Sequence, residues 1–209
     1  MEESRKPSSK RISSIAKAGA ELFATKGFVE TSMHDVATAA KLSKGGIYHY
    51  FTSKTELLDF IINSFIDIVL EGLEEDLEKE KTDMDKLRKL IFRHVEIYPQ
   101  NMYKAKVLIS EAHNLPRKSR KKILVKEKEY YRIITEVLSG YLGSSIEKDQ
   151  LTMITFSLLG MCNWIYRWYN PKGPITWEQL SETIFDIFLK GISGLKEKGQ
   201  ALPQTLPNT

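Results

Sequence analysis

Nine consecutive residues, Ser43-Lys44-Gly45-Gly46-Ile47-Tyr48-His49-Tyr50-Phe51, bring together a cation, two glycines, phenols and an imidazole. These are groups that hold a phosphate diester and read the edge of a base pair. Gly45 and Gly46 lack a β-carbon, so the backbone N–H groups at a helix start can come close to an anion that the helix dipole also favours. Lys44 and Lys54 supply positive charge to a phosphate. Tyr48 donates its hydroxyl to a phosphate or lays its ring on a thymine methyl, and His49 reaches a phosphate or a base edge. The chemistry expected here is non-covalent recognition of double-stranded DNA. No nucleophile elbow of the form Gly-x-Ser-x-Gly, no Gly-x-x-x-x-Gly-Lys loop and no His-Glu-x-x-His pair occurs, and the chain holds only four histidines. No catalytic residues are expected, and the chain does not read as an enzyme.

To present these groups to a groove, the segment must form a short helix with a packed inner side. Ile47 and Phe51 form that side and are expected to pack on Val36, Ala37 and Ala40 of a preceding helix over about 33–40. Ser32 followed by Asp35 is a capping-box pattern opening the first helix, and Ser43 caps the second, expected from Lys44 to Tyr50. Two short helices joined across Lys41 to Ser43 make a helix-turn-helix pattern. Ile15, Gly19, Leu22 and Phe23 at helical spacing, with Gly27 in the capping position, predict a helix from about Lys10 to Lys26. Ser53 with Glu56 opens a longer helix through Leu57, Ile61, Phe65 and Ile68 that is expected to run unbroken to about Leu77.

The rest of the chain continues the pattern. Residues 8 to 98 contain no proline, and no Asn-Gly or Asp-Gly hairpin signal occurs anywhere. Further helices are expected over about 84–97 (ended by Pro99), 101–113 (ended before Pro116), through Tyr130, Ile133, Ile134, Val137, Leu138 and Tyr141, over 147–169, and from a cap at Thr176 and Gln179 to about Leu195. The fold class is therefore all-α, with about nine helices.

At 209 residues with 42% hydrophobic and 28% charged residues, the chain has apolar mass for a core and is long enough for one domain or two small ones. The one cysteine, Cys162, excludes an intrachain disulfide and a cysteine zinc site. The chain starts on a polar run, and its longest apolar stretch, Ile154 to Ile165, is interrupted by Thr155, Ser157 and Asn163 and falls short of the ~20 residues needed to span a bilayer. A cytoplasmic protein with no membrane association is expected. Net charge is +4, and its placement is uneven: residues 1–55 hold nine basic against five acidic side chains, and the remainder is balanced. A small basic module facing a polyanion and a neutral module with another task fit that asymmetry.

Thr31-Ser32-Met33-His34-Asp35-Val36-Ala37, Leu42 to Phe51, and Ser53-Lys54-Thr55-Glu56-Leu57-Leu58 resemble, at matched spacings, the N-terminal domain of TetR-family transcriptional regulators. The resemblance covers about Lys10 to Phe60. It implies a homodimeric, ligand-responsive regulator, usually a repressor, with an N-terminal three-helix helix-turn-helix domain and C-terminal helices that hold the effector pocket and the dimer interface. It also implies operator contacts at Ser32, Ser43, Lys44, Gly45, Tyr48, His49 and Lys54. Gly46 departs from the pattern, because that position often carries a base-reading side chain; readout is expected to lean on Tyr48, His49 and DNA shape. The implied division is an N-terminal arm at 1–9, a DNA-binding domain at 10–55, an effector-binding and dimerisation domain at 56–199 and a disordered tail at 200–209.

The neutral remainder is helical and rich in aromatic side chains, as a site between helices requires. Gly160-Met161-Cys162-Asn163-Trp164-Ile165-Tyr166-Arg167-Trp168-Tyr169-Asn170-Pro171-Lys172-Gly173-Pro174 resembles the corresponding stretch of TetR-family regulators of fatty-acid and steroid breakdown that respond to acyl-CoA thioesters. The resemblance implies a small hydrophobic effector, an acyl-CoA, with Tyr103, Tyr130, Phe156, Trp164, Arg167 and Trp168 as candidate contacts. Arg117, Lys118, Arg120, Lys121 and Lys122 offer further cations for its phosphates. No cofactor and no metal site are expected. Two other effector classes remain open: a drug-like cation or aromatic sensed by a regulator of efflux genes, which calls for acidic groups in an aromatic cage, and a metal bound by His94, Glu96, Glu111 and His113. Within each of those metal-site pairs the i, i+2 spacing points one member away.

Overall fold

The computed structural model describes residues 9–143 and 146–198. The expected arm, apart from Ser9, and the expected tail lie outside the described residues. Among the described residues there are eleven α-helices, one 3-10 turn and no strand. In chain order the helices are α1 (Ser9–Lys26), α2 (Met33–Ala39), α3 (Lys44–Tyr48), α4 (Lys54–Leu70), α5 (Leu73–Glu78), α6 (Asp83–Glu96), α7 (Tyr98–Glu111), α8 (Arg117–Leu142), α9 (Lys148–Asn163), α10 (Ile165–Trp168) and α11 (Trp177–Lys198), with the 3-10 turn at Ala112–Asn114. Short breaks divide α4 from α5 and α9 from α10. Taken as interruptions of longer helices, they reduce the eleven to the nine expected.

The first break corrects the sequence reading. Leu73 and Leu77 prolong the apolar spacing of α4, which is why an unbroken helix to Leu77 was expected, yet Gly72 takes a left-handed φ of 67° and ends it. Glycine adopts that conformation without the steric cost a β-carbon would bring. Pro99 also departs from expectation. Rather than ending a helix, it occupies the first turn of α7, where the missing N–H is an orphan in any case, and the expected start near 101 becomes a kink at Asn101.

The chain divides into two compact units. The first comprises residues up to Glu71 with Ile97–Glu129 and Tyr166–Trp168. In it α1 packs on α2, α4 and α7, and α4 packs on α7. Its core holds Ile15, Phe23, Val36, Ala37, Ile47, Phe51, Leu57, Leu58, Ile61 and Val107, with Phe23 and Phe28 edge to face. The inner side expected of α3 is thus buried against α2. The second unit comprises Gly72–Glu96, Tyr130–Ile165 and the residues from Tyr169 onward. Here α6 packs on α5, α9 and α11, burying Leu87, Leu90, Ile91 and Val95 on one side of α6 and Leu180, Ile184, Phe185, Phe188 and Ile192 along α11. Arg88 binds Glu182 and lies over the rings of Phe92 and Phe185, while Arg132 joins Glu74 to Glu136. The expected start of α11 is met in full: the Thr176 N–H donates to Gln179 Oε1, and the Gln179 N–H donates to Thr176 Oγ1.

Candidate nucleic-acid interface and effector site

Two caps and a tight turn hold the helix-turn-helix in place. The Ser32 hydroxyl accepts from the Asp35 N–H at 3.1 Å while the Asp35 carboxylate accepts from the Ser32 N–H at 2.9 Å and from Lys26 Nζ at 3.0 Å. The Ser32 backbone N–H, together with the lysine and the Ser32 side chain, holds the Asp35 carboxyl down at about 2. After α2 the chain reverses at Lys41, which carries a φ of 56°. The Leu42 N–H donates to Ala37 O and the Lys41 N–H to Thr38 O, the paired bonds of a Schellman closure. A lysine in a position that favours glycine is what the sequence pattern did not disclose.

On α3 the outer side carries Lys44, Gly45, Tyr48 and His49, all exposed, with Tyr48 46% exposed. Ser32 and Ser43 are exposed as well, so the structure presents six of the seven expected operator residues to solvent on the first unit. The Ser43 hydroxyl already accepts from the Gly46 N–H at 3.0 Å. An anion at this helix start is therefore left the N–H groups of Lys44 and Gly45. A β-carbon at Gly46 would stand 3.0 Å from Ser43 Oγ, tighter than ordinary packing, which gives a local reason for glycine there. Tyr50 packs toward the core.

Lys54 is placed differently from its neighbours. Its ammonium donates to Phe28 O at 2.7 Å and Val29 O at 3.1 Å and lies 4.4 Å from the centre of the Phe28 ring. Two of its three donors thus tie α4 to the turn after α1, leaving one for a phosphate. The Ser53 hydroxyl accepts from the Glu56 N–H, but the Glu56 carboxylate reaches back to the N–H and hydroxyl of Thr52 rather than closing the expected box on Ser53.

Of the six candidate effector residues, Tyr130 lines an interior void of the second unit. Its other walls are Leu90, Ile91, His94, Ile134, Leu158, Leu159 and Cys162. His94 Nδ1 and Tyr130 Oη are hydrogen-bonded at 2.5 Å with their rings 5.7 Å apart. Burial pushes the His94 imidazole down to about 4, against a hydrogen bond with Asn163 that favours its protonated form, and burial pushes the Cys162 thiol up to about 12. The imidazole is therefore neutral and the thiol protonated near neutral pH. The void has about 10 Å³ of room for the centre of a water molecule, enough for one. Phe156 and Trp164 of the same unit and Tyr103, Arg167 and Trp168 of the first unit are exposed. They stand on outward positions of their helices, which aromatic content alone does not reveal.

The other two effector classes find less in the geometry. A groove of about 340 Å³ in the second unit brings Glu80, Asp85 and Glu96 beside Phe92 and Trp177, but Arg88, Lys89 and Arg93 balance the acids. Among the described residues, no group of three or more His, Cys, Asp or Glu side chains is placed to hold a metal ion, so His94, Glu96, Glu111 and His113 do not assemble as one. No helix among the described residues is long and apolar enough to cross a membrane.

A capped two-helix reader on a packed first unit, beside a second helical unit with an aromatic and apolar interior, defines a helix-turn-helix DNA-binding regulator. Residues 15–61 match the family described as bacterial regulatory proteins, tetR family, and residues 80–192 match the tetracyclin repressor-like C-terminal domain. The chain belongs to the TetR family of transcriptional regulators. The HTH-type transcriptional repressor KstR2 of Mycobacterium tuberculosis (strain ATCC 25618 / H37Rv) is 24% identical over 190 residues, covering 88% of this chain and 93% of its own. A TetR-family transcriptional regulator from Bordetella parapertussis 12822 superposes with a TM-score of 0.83 at 26% identity, covering 90% of this chain and 97% of that one. AibR, solved in complex with isovaleryl coenzyme A and operator DNA, gives a TM-score of 0.72 at 26% identity, covering 85% of this chain and 97% of its own.

Proposed function

We propose that this regulator is a repressor that binds a palindromic operator as a homodimer in the cytoplasm and is released by an acyl-CoA. In this reading residues 10–55 read the DNA and 56–199 bind the effector and the second copy. The observation that carries it is the exposed row Lys44, Tyr48 and His49 on a helix whose other side is locked into the core. Ser32, Ser43, Gly45 and the remaining donor of Lys54 add phosphate contacts, and two such helices enter successive major grooves. Dimerisation through the second unit is supported by Met153, Phe156, Gly160 and Trp164, which recur along one exposed side of α9, and by Ile187 and Gly191 on α11. An apolar stripe of that extent suits a self-complementary interface.

The effector class is supported by the acyl-CoA complex of AibR and by the apolar walls around Tyr130. A pocket for a small molecule needs ~300 Å³ or more, so the acyl chain must part the helices around the void, and it acts by preferring that parted state. Phe156 and Trp164 of the second unit are proposed effector contacts. So are Tyr103, Arg167 and Trp168 of the first, where Arg117, Lys118, Arg120, Lys121 and Lys122 supply further cations. The test is selection of duplexes from a random pool by the full chain, followed by release with lauroyl-CoA below its micelle concentration. Enrichment of a palindrome, released by the thioester and not by laurate or coenzyme A, is the expected result. Failure to enrich any palindrome would refute the operator reading, and equal release by all three compounds would refute the effector.

A further inference from the structure

The void in the second unit is walled by Leu90, Ile134, Leu158 and other apolar groups, and its polar groups come from one place. Asn163 bonds His94, and His94 bonds Tyr130, a chain of three neutral groups leading to a phenol at the void. Such a chain can be turned end for end. With the Asn163 amide donating to Nε2, the Nδ1–H donates to Tyr130 Oη and the phenol O–H is released as a donor. With Nε2–H donating to Asn163 Oδ1, Nδ1 accepts from the phenol O–H, and Tyr130 Oη offers only lone pairs.

We infer that the Asn163–His94–Tyr130 chain reads one uncharged oxygen, carbonyl or hydroxyl, on an otherwise apolar effector and discriminates against a carboxylate. This rests on the reading that the interior of the second unit takes the effector. In the first setting the phenol donates to a carbonyl oxygen, as in a ketone or thioester. In the second it accepts from a hydroxyl. A carboxylate finds a single donor and no cation, because an imidazole pushed down to about 4 carries no charge at neutral pH. Burying an anion there without a counter-charge is heavily penalised.

The test uses the full chain with 2-octanone, 1-octanol, octanoate and 1-octene, titrated calorimetrically at neutral pH against wild type and Tyr130→Phe. Removing the phenol should weaken the ketone and the alcohol about threefold to tenfold, the worth of one neutral hydrogen bond, and leave 1-octene within about twofold. Octanoate should bind wild type at least about tenfold more weakly than the ketone. In wild type alone, the ¹⁵N resonances of His94 should report opposite tautomers in the ketone and alcohol complexes, a readout that a packing role would not move. The proposal is overturned if Tyr130→Phe shifts all four affinities alike, if octanoate matches the ketone, if the tautomer is the same in both complexes, or if nothing saturates. Its fate is separable from that of the effector class. Operator release by lauroyl-CoA with a uniform Tyr130→Phe effect removes the oxygen-reading chain alone, whereas selective ketone binding without release by lauroyl-CoA removes the thioester alone.

Discussion

Lys44 and Lys54 look equivalent in the sequence, two cations flanking a recognition helix, but they differ in what they already touch. Lys54 spends two donors on carbonyls of residues 28 and 29, a debt no local pattern discloses because the partners lie 25 and 26 positions away. Lys44 is exposed on the outer side of α3. Lys44→Ala should therefore weaken binding to specific and random duplexes alike and lower the slope of log affinity against log salt by ~1, as measured by fluorescence anisotropy across a salt series. Lys54→Ala should also lower the stability of the first unit, because two carbonyls lose their donor. Asp35 yields a pH prediction. Its folded value of about 2 lies below the ordinary 3.8, so its stabilising contribution is complete above 3.8 and disappears as pH falls from there through about 2. Carbon-13 NMR of the Asp35 carboxyl should find its midpoint near 2, and Asp35→Asn should flatten that part of the acid-unfolding profile.

Helix ends were the most legible features, because a cap is a local event: Ser32 with Asp35, Ser43 and Thr176 with Gln179 all close the helices they were expected to open. Interruptions were not. The break at Gly72 hides behind the continuing leucine spacing, and Pro99 reads as a terminator until Tyr98 is seen to begin a new helix. The row on α3 was readable from which residues could pack inward, whereas the void around His94 joins α6, α8 and α9 and had no signature in any one of them. The reversal at Lys41 belongs to this scale. A left-handed non-glycine costs roughly 1–2 kcal/mol and glycine returns about half of that in chain entropy. Lys41→Gly should therefore raise the thermal midpoint by roughly 2–4 °C for a chain of this length. A midpoint that falls would mean the lysine side chain contributes more than the backbone loses.

For the molecule as a whole, the exposed apolar stripe on α9 and α11 makes oligomeric state the telling observable. Ile187→Glu, at a position 59% exposed and outside the core, should leave helicity unchanged and convert a dimer into monomers in sedimentation experiments, with loss of tight binding to a palindrome. An unaltered dimer would move the interface elsewhere. A different consequence follows from how the first unit is assembled. Helices α1 and α4 are covered by α7, and residues 97–129 belong to the same compact body as residues up to 71. The DNA reader is therefore not complete when its own residues have been made. At a synthesis rate of about 5–20 residues per second, roughly 3 to 12 seconds separate the emergence of Glu71 from that of Glu129. During that interval the apolar sides of α1 and α4 lack their partner on the ribosome. A stop codon placed just after α4 should yield a fragment that captures chaperones rather than DNA.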